Sequence, residues 1–512
     1  MTDGSIDSAT DGVPPCPEDI ERTGDTLFAT GRGEDAVRLF LDVTTRHPDD
    51  WRLAVTAATI ILRHSSAYDL VEAFLRPVLH RWPDTVPAWS LLLHVRVVRG
   101  DLAGSHALFA ELLDRYPDES GTLCEAMSTA LLQAGHPAES LRILLRCFEN
   151  SIVTPTLLKN MGIALFCLDR SAEAVSWYEK AEALAPTDYG ITFGHACALI
   201  KAGRLDEGWP RYFNRHLTPD DRDAWYLSLP RLCPGDAVAG RGVVLFQEQG
   251  LGDTIQFIRF VPDLLAKGAH VTIVVPRPLV RLLAQSYPAA KVYETGTLAR
   301  QNGYDYAAAI PDLPHIAGAT SLWDVPAPIP YLHPDPDDIA RFATLLPERR
   351  PRIGLVWAGE WRPQSIHALV DQRRSTTQAT MAKALTPVAA TLVSLQLGAP
   401  RQEIADWTGQ TLCDPMGSVH DMADTAAIMA SLDLVISVDT APLHLAGALG
   451  CPVWMISRQD ACWRWGDAIG RSPWYPTMRI FRSREATLAP ILKEAGMALR
   501  TWARNWRPAR KT

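Results

Sequence analysis

A polar tip between two apolar segments is the part of this chain best suited to chemistry. The apolar, β-branched run 434–438 predicts a parallel strand that is buried on both faces. Asp439 and Thr440 end this strand and begin a helix whose first turn carries His444. Free backbone N–H groups at such a helix start attract anions, so the pattern predicts a diphosphate site. Alternatively, Asp439 or Thr440 only caps the helix, and His444 is simply packed.

A second segment of the same kind lies upstream and contains a carboxylate. The apolar run 243–246 leads into a loop in which Gly250 and Gly252 permit a tight turn and close approach of a ligand. The loop lacks the third glycine of a dinucleotide fingerprint and the lysine of a phosphate loop, so neither motif is assigned. Asp253 at the loop tip is suited to acid–base chemistry, or else to capping a helix that begins at Thr254.

Together the two segments resemble the heptosyltransferase-type glycosyltransferases of family nine, in the bacterial subgroup that has tetratricopeptide repeats in front. The resemblance rests first on GLGDTIQFIRFVP at 250–262 and VISVDTAPLHLAGALGCPVW at 435–454. Similar segments elsewhere are Trp357-Ala-Gly359, Asp371 with Arg373-Arg374-Ser375, Trp463-Arg-Trp465 and Ser472-Pro-Trp-Tyr475-Pro476. The matches occur in order over roughly residues 200–485.

This resemblance implies transfer of a sugar from a nucleotide-sugar donor. Such a reaction needs a base for the acceptor hydroxyl and positive or dipolar groups for the departing diphosphate. The resemblance makes Asp253 the candidate catalytic base, with Glu248 in the same loop as a rival. Arg373 and Arg374 could clamp the diphosphate, unless they are surface arginines without a role. The full set of candidate donor-binding residues is Gly250, Gly252, Trp357, Gly359, Arg373, Arg374, Asp439, Thr440 and His444.

We expect no metal and no other cofactor. Metal-dependent glycosyltransferases place an Asp-x-Asp triplet at a strand end, where hard carboxylate oxygens hold the ion against the diphosphate. The triplets Asp221-Arg-Asp223 and Asp335-Pro-Asp337 lie instead in connectors rich in proline and charge. The sequence therefore predicts a metal-independent transfer, and the resemblance implies an inverting one.

Residues from about 18 to 215 repeat with a period near 34. Prolines recur at steps of 35 and 34, at Pro48, Pro83 and Pro117. Glycines recur at steps of 35 and 68, at Gly100, Gly135 and Gly203. Two helices per period of this length indicate about five tetratricopeptide repeats, the second being the most degenerate. Such a solenoid leaves a groove that usually binds extended peptide, and its alternative role is to brace the adjoining domain.

Changes of pattern divide the chain further. In order, we expect a disordered lead-in (1–17), a tetratricopeptide solenoid (18–215), a connector (216–241), an N-terminal, acceptor-side Rossmann-like domain (242–332), a C-terminal, donor-side Rossmann-like domain (352–485), and a C-terminal helix with a basic tail (486–512). The expected fold class is an α-solenoid followed by α/β, with two Rossmann-like domains in the arrangement of the B-type (GT-B) glycosyltransferases. Residues 1–215 and 236–512 are expected to fold as separable units.

Composition narrows the range of functions. A formal net charge of −8 gives no electrostatic reason to expect nucleic acid as a partner. No apolar run reaches the ~18 residues that a membrane span needs. The polar, acidic N-terminus does not resemble a signal peptide, so a cytoplasmic location is expected. The 9 cysteines include no CxxC pair and are expected to be mostly buried free thiols.

Two classes of function remain open. The first is a glycosyltransferase whose repeats present a protein acceptor, such as flagellin or another surface protein, with a lipopolysaccharide or other saccharide as the alternative acceptor. The second is a non-catalytic scaffold that keeps the fold and uses only the solenoid. Retention of Asp253 and of the segment 439–444 favours the enzyme. The loop 360–372 departs from the family in its apolar residues, which indicates an altered donor or acceptor preference.

Overall fold

The computed structural model forms two compact units. It describes residues 15–150, 152–217, 219, 221, 224–321, 324–325, 328–360, 368–467 and 470–508. One unit contains the described residues up to Ala164 together with 368–372, and the other contains the remaining described residues.

Paired antiparallel helices build the first unit. They are α1 (Pro17–Ala29), α2 (Gly33–Arg46), α3 (Trp51–His64), α4 (Tyr68–Arg81), α5 (Val86–Val98), α6 (Leu102–Arg115), α7 (Ser120–Ala134), α8 (Pro137–Glu149) and most of α9 (Pro155–Cys167). The first helices of successive pairs begin at 17, 51, 86, 120 and 155, so the predicted period is observed as steps of 34 and 35. Apolar residues at helical spacing, such as Phe40 and Ile60, form the core of this unit.

The helix pairs continue into the second unit. It begins with the end of α9 and continues with α10 (Ser171–Leu184), α11 (Tyr189–Lys201) and α12 (Leu205–Phe213). Between Pro17 and Phe213 the described residues thus form six helix pairs rather than about five.

A left-handed backbone conformation recurs in the turns inside these pairs. Gly100, Gly135 and Gly203 have φ values of +87°, +86° and +83°, which glycine adopts without a steric penalty. Asp169 occupies the equivalent turn of the α9–α10 pair and has φ +56°. The position is therefore one where the repeat prefers glycine and this chain has a carboxylate instead.

The last helices share a hydrophobic core with a β-sheet. Trp209 and Tyr212 of α12 belong to the same buried cluster as Val243 and Ile255 of the following α/β region. The repeat period alone places a boundary near Arg215, whereas the contacts separate the two units within α9.

The first sheet has four parallel strands in the order β3-β2-β1-β4. They are β1 (Gly242–Phe246), β2 (His270–Val275), β3 (Lys291–Glu294) and β4 (Tyr306–Ala309). The accompanying helices are α13 (Leu251–Phe257), α14 (Val261–Ala266), α15 (Arg277–Ser286), α16 (Leu313–Ile316) and α17 (Pro336–Ala343). Every residue of β1 is buried, as expected for a parallel strand covered on both faces.

The second sheet has six parallel strands in the order β10-β9-β8-β5-β6-β7. They are β5 (Arg352–Val356), β6 (Thr391–Ser394), β7 (Leu412–Cys413), β8 (Leu434–Val438), β9 (Val453–Ser457) and β10 (Met478–Arg482), with helices α18 (Ala368–Arg374), α19 (Gln378–Leu385), α20 (Met422–Met429), α21 (Ala441–Ala448) and α22 (Ala489–Asn505). Counted from β5, the order is 6-5-4-1-2-3, which is the Rossmann order. Ligands of such sheets bind where the order reverses, which here is between the ends of β5 and β8.

The predicted fold class is confirmed: tetratricopeptide-type helix pairs precede two Rossmann-like parts, the composition of the GT-B layout. The expectation for the cysteines holds only in part. Cys124 and Cys147 form a disulfide, and of the free thiols Cys197 and Cys451 are buried while Cys16 and Cys233 are exposed. Within the described ranges, no helix combines the length and the apolar character that crossing a membrane requires.

Candidate functional site

The helix that follows the glycine loop after β1 begins earlier than predicted. Helix α13 starts at Leu251 and not at Thr254, so Gly250 is the N-cap residue and Asp253 lies in the first turn. The Asp253 Oδ2 atom accepts a hydrogen bond of 3.0 Å from the Gly250 amide. Asp253 therefore does support the start of the helix, although from inside it, and its other oxygen is left for another partner.

That partner is Arg464, which the sequence did not single out. Its Nη2 atom donates to Asp253 Oδ1 and, at 3.2 Å, to Gln249 Oε1. Both side chains of the Asp253–Arg464 pair are more than four-fifths buried. Burial alone would lower the pKa of the guanidinium, but attraction to Asp253 and Cys462 raises the pKa of Arg464 above its ordinary value. The pair places a permanent cation beside the candidate base.

Gly252 lies against the helix that follows β8. A Cβ atom on Gly252 would come within 2.8 Å of His444 Cδ2, so this close approach requires glycine. His444 is buried, and its Nδ1 atom lies 2.9 Å from the Tyr475 hydroxyl. Burial lowers the pKa of His444 to about 3, so the ring is neutral near pH 7. His444 thus packs the two sheets together, as its alternative interpretation proposed, and presents no charge to a phosphate.

The tip of β8 carries Asp439 and Thr440 as predicted. Asp439 Oδ2 accepts a hydrogen bond of 2.9 Å from the Trp465 indole. Thr440 is the N-cap residue of α21, but its side chain makes no capping hydrogen bond and instead donates to the Val438 carbonyl at 3.2 Å. The capping alternative for Thr440 is therefore not observed, and the start of α21 remains suited to an anion.

Trp357 and Gly359 follow β5, the strand next to β8. The Trp357 side chain is completely buried, so we assign it to the core rather than to ligand contact. The Gly359 amide donates to Ser375 Oγ at 3.2 Å, and a Cβ atom on Gly359 would lie 3.1 Å from the Arg374 guanidinium. Gly359 therefore lets Arg374 approach the end of β5.

The two candidate arginines have different surroundings. Arg373 Nη2 donates to Asp460 Oδ2 at 2.9 Å, and both side chains are nearly nine-tenths buried. Arg374 Nη2 donates to the Glu360 carbonyl at 3.1 Å. Arg373 thus pairs with a carboxylate in the loop that leads to Arg464. Arg374 lies beside the end of β5. The neighbouring residues 361–367, which hold most of the atypical loop, lie outside the described residues.

Glu248, the rival base, occupies a buried ion pair. Its Oε2 atom accepts a hydrogen bond of 2.6 Å from Arg215 Nη2, and both side chains are 1% exposed. Arg215 also binds Asp312 at 2.6 Å. A carboxylate held in this way links the end of the repeat region to the first sheet and is not available to an acceptor.

The structure brings one subset of the predicted residues together. Gly252, Asp253, Asp439 and His444 form a continuous set of contacts through Arg464 and Trp465. The residues that join them, Arg464, Trp465 and Tyr475, lie in the segments WRW and SPWYP. Those segments contributed to the family resemblance, but an irregular loop has no periodicity from which a role could be predicted.

The structure is also informative about the two Asp-x-Asp triplets. Asp335 caps α17, its side chain accepting a hydrogen bond of 2.8 Å from the Asp337 amide. Asp223 of the other triplet lies outside the described residues. Among the residues that are described, no group of three or more His, Cys, Asp or Glu side chains is placed to hold a metal ion.

Comparison with known proteins gives distant similarities. No family model matches the chain. Protein FlbA of Caulobacter vibrioides is 26% identical, over 94% of this chain and 78% of that protein. The solved glycosyl transferase family 9 protein of Veillonella parvula (12% identity, TM-score 0.37) matches 52% of this chain and 97% of its own. The ADP-heptose lipopolysaccharide heptosyltransferase II of E. coli (14% identity, TM-score 0.35) matches 50% and 98%.

Proposed function

We propose that this chain is a glycosyltransferase that moves a sugar from a nucleotide-sugar donor to an acceptor. One observation supports the proposal above all others. The two segments chosen from the sequence as candidate sites meet each other, with Gly252 against His444 and Asp253 bonded to Arg464, 211 positions away along the chain. A carboxylate and a guanidinium are thus in contact next to the helix that follows β8, whose start has no side-chain cap, and these are the groups that sugar transfer requires.

The proposed chemistry is a single displacement. The acceptor oxygen attacks the anomeric carbon and gives its proton to Asp253, while the bond from that carbon to the diphosphate breaks and its electron pair leaves with the diphosphate. Arg464 and the N-terminus of α21 stabilise the developing negative charge. One displacement inverts the anomeric configuration. No divalent metal is needed, because the guanidinium and the helix dipole replace it.

The Asp253–Arg464 pair gives this chemistry an order of events. An incoming diphosphate competes with Asp253 for the guanidinium, because it carries more negative charge than one carboxylate. Once Arg464 turns to the diphosphate, Asp253 Oδ1 is free to accept the proton of the acceptor hydroxyl. Donor binding therefore precedes activation of the acceptor.

For the acceptor we propose a protein that the repeats hold, with flagellin or another surface protein as the first candidate. A pocket of about 340 Å³ between α2, α3 and α4 supports this choice. Its lining is mainly apolar and includes Leu41, Ala54, Phe74 and Trp82, with Arg81 among the polar residues. A lipopolysaccharide or other saccharide acceptor is the alternative.

Transfer can be tested without knowing the acceptor. The purified chain is incubated with a panel of nucleotide sugars and with acceptor proteins captured on the repeat region, and release of nucleoside diphosphate is measured with mass spectrometry of the acceptors. Release that depends on one donor, together with a hexose or heptose mass added to one captured protein, supports the proposal. No release from any donor in the panel contradicts it.

A non-catalytic scaffold is the second candidate, and one observation favours it. Both oxygens of Asp253 accept hydrogen bonds from the protein itself, and His444 is buried and neutral. Such contacts would hold the two sheets together even if no donor bound. A scaffold would bind its protein partner through the repeats but would show no affinity for any nucleotide.

A further inference from the structure

The loop that carries Arg464 is fixed from the side of the helical repeats. We define the site loop as residues 461–467. Lys201, the last residue of α11, has no exposed side-chain surface. Its Nζ atom donates to the Ala461 carbonyl in the site loop at 3.4 Å and to the Phe166 carbonyl in α9 at 2.7 Å. This buried ammonium thus joins the last repeats to the first residue of the site loop.

A carboxylate from the repeats completes the charge balance of Lys201. Asp169 Oδ1 lies 3.0 Å from Lys201 Nζ and 2.7 Å from Arg482 Nη1. The Nη1 atom of Arg482 donates to the Gly466 carbonyl at 2.9 Å, and its Nη2 atom donates to the Trp465 carbonyl at 3.2 Å. Asp169 therefore orients two cations, each of which binds backbone carbonyls of the site loop.

The end of the site loop is held in the same way. Asp467 accepts a hydrogen bond of 3.0 Å from the Ser171 amide and one of 2.7 Å from the Ser171 hydroxyl, at the start of α10. Contacts from the repeats thus reach the first and last residues of the site loop, and Arg464 lies between them.

The backbone of Asp169 adds an independent observation. Its φ of +56° places it in the turn position that is glycine in the pairs containing Gly135 and Gly203. Glycine would be the relaxed choice there, so the carboxylate is kept at a backbone conformation that disfavours it. The carboxylate at this position binds Lys201 and Arg482, which a glycine could not do.

We propose that Lys201 and Asp169 are positioning residues of the candidate site: the last two helical repeats hold the site loop so that Arg464 meets the donor diphosphate. The effect on donor binding rests on the proposed function, whereas the fixing of the loop does not. The last repeats are then part of the transferase site and not only a platform for the acceptor.

The test combines two measurements on the full chain. Hydrogen exchange followed by mass spectrometry reports the mobility of the site loop, and calorimetry reports the affinity for the nucleoside diphosphate of whichever donor binds. Lys201→Met removes the charge and keeps an unbranched stem. Asp169→Gly removes the carboxylate and suits the turn, so its backbone is expected to fold at least as well. Arg204→Met, which removes the exposed Arg204–Glu207 ion pair on the same helix pair, is the matched control.

We expect exchange in peptides covering 461–467 to become about tenfold faster in Lys201→Met and Asp169→Gly, the factor that corresponds to one lost charged hydrogen bond. Peptides of β1 and β2 should keep their wild-type exchange, as should every peptide in Arg204→Met. Diphosphate affinity should fall about tenfold or more in the two variants, because a displaced loop misplaces Arg464.

The outcomes separate the two proposals. Unchanged exchange of the site loop in a folded Asp169→Gly variant overturns the positioning role. Faster exchange with unchanged diphosphate affinity also overturns it, since the loop would then not serve the site. If the wild-type chain binds no nucleotide at all, the proposed function fails, and the exchange experiment still decides whether the repeats fix the loop.

Discussion

Asp253 and Arg464 share a largely buried salt bridge, so the role of each depends on the other. A base that is bound to a guanidinium is not free to take a proton. The same guanidinium, once drawn to a diphosphate, releases that base. The pair therefore suits an enzyme in which donor binding prepares the site, and each half of the pair can be tested alone.

Asp253→Asn should remove most of the transfer activity and leave donor binding intact. Loss of general base catalysis lowers the turnover number roughly 100-fold to 10,000-fold. Nucleotide affinity should stay the same or increase, because Arg464 loses its competing anion. The turnover number and the dissociation constant are measured on the same preparation. Near-normal turnover would show that another group is the base.

The buried His444 should make folding stability depend on pH. Its pKa is about 3 in the folded chain and 6.5 ordinarily, so below pH 6.5 the unfolded chain takes up a proton that the folded chain refuses. The contribution of His444 to the free energy of unfolding is therefore fully present above pH 6.5. It decreases as the pH falls from 6.5 toward 3, by at most about 1.4 kcal/mol per pH unit. Urea unfolding of the wild type and of His444→Gln at several pH values measures this difference. Parallel pH profiles would contradict it.

How far the sequence could predict the site differs between its residues. Asp253 and Asp439 follow apolar runs that are typical of buried strands, so the sequence alone indicates that both lie near strand ends. The role of Arg464 cannot be predicted from the sequence, because it depends on a contact with Asp253, 211 positions away. His444 shows the opposite limit: its spacing suggested a ligand, and burial that only the fold creates makes it a packing residue.

At the scale of elements, the end of the repeat region belongs with the sheets. The period predicted the succession of helix pairs, about five where six are observed, because apolar residues at helical spacing are a local signal. The repeat period could not predict that α12 buries Trp209 and Tyr212 in the core of the α/β region. The same two residues would also fit the last helix of a solenoid that ends at Phe213. The strands predicted at 243–246 and 434–438 are observed within one residue of those bounds, whereas the start of α13 was placed three residues too late.

We expect the fragment 155–512 to fold and the fragment 216–512 to be unstable. The shorter fragment exposes the part of its core that Trp209 and Tyr212 cover, each of which is 1% exposed in the full chain. Burying a large apolar side chain stabilises a fold by roughly 1.5–3 kcal/mol, so losing both weakens it strongly. Circular dichroism and thermal unfolding of both fragments provide the measurement. If both fragments unfold in equally cooperative transitions, the domain boundary lies near Arg215, as the repeat period predicted.

At the scale of the whole molecule, sheet order is the feature that turns separate motifs into one site. The apolar patterns predicted parallel strands but not their neighbours. The order β10-β9-β8-β5-β6-β7 places the tip of β8 beside the tip of β5, and the loop after β1 meets the helix after β8. Long-range pairing of this kind is a property of the folded chain and leaves no mark in local spacing.

Transfer should not require a divalent metal. Arg464 and the start of α21 supply positive potential at the place where the diphosphate is expected, and Asp335 is used to cap α17. Activity in excess EDTA should equal activity in added Mg²⁺ or Mn²⁺. Activity that disappears with EDTA and returns with either ion would contradict the metal-free mechanism.

Titration calorimetry tests most directly whether the chain binds a nucleotide-sugar donor beside Arg464. Wild-type chain and Arg464→Met are titrated with the nucleoside diphosphates of the common sugar donors. We predict that one diphosphate binds the wild type and binds Arg464→Met at least about tenfold more weakly, as expected when a charged hydrogen bond is lost. A folded wild-type chain that binds none of them, or an affinity that Arg464→Met leaves unchanged, would contradict the account.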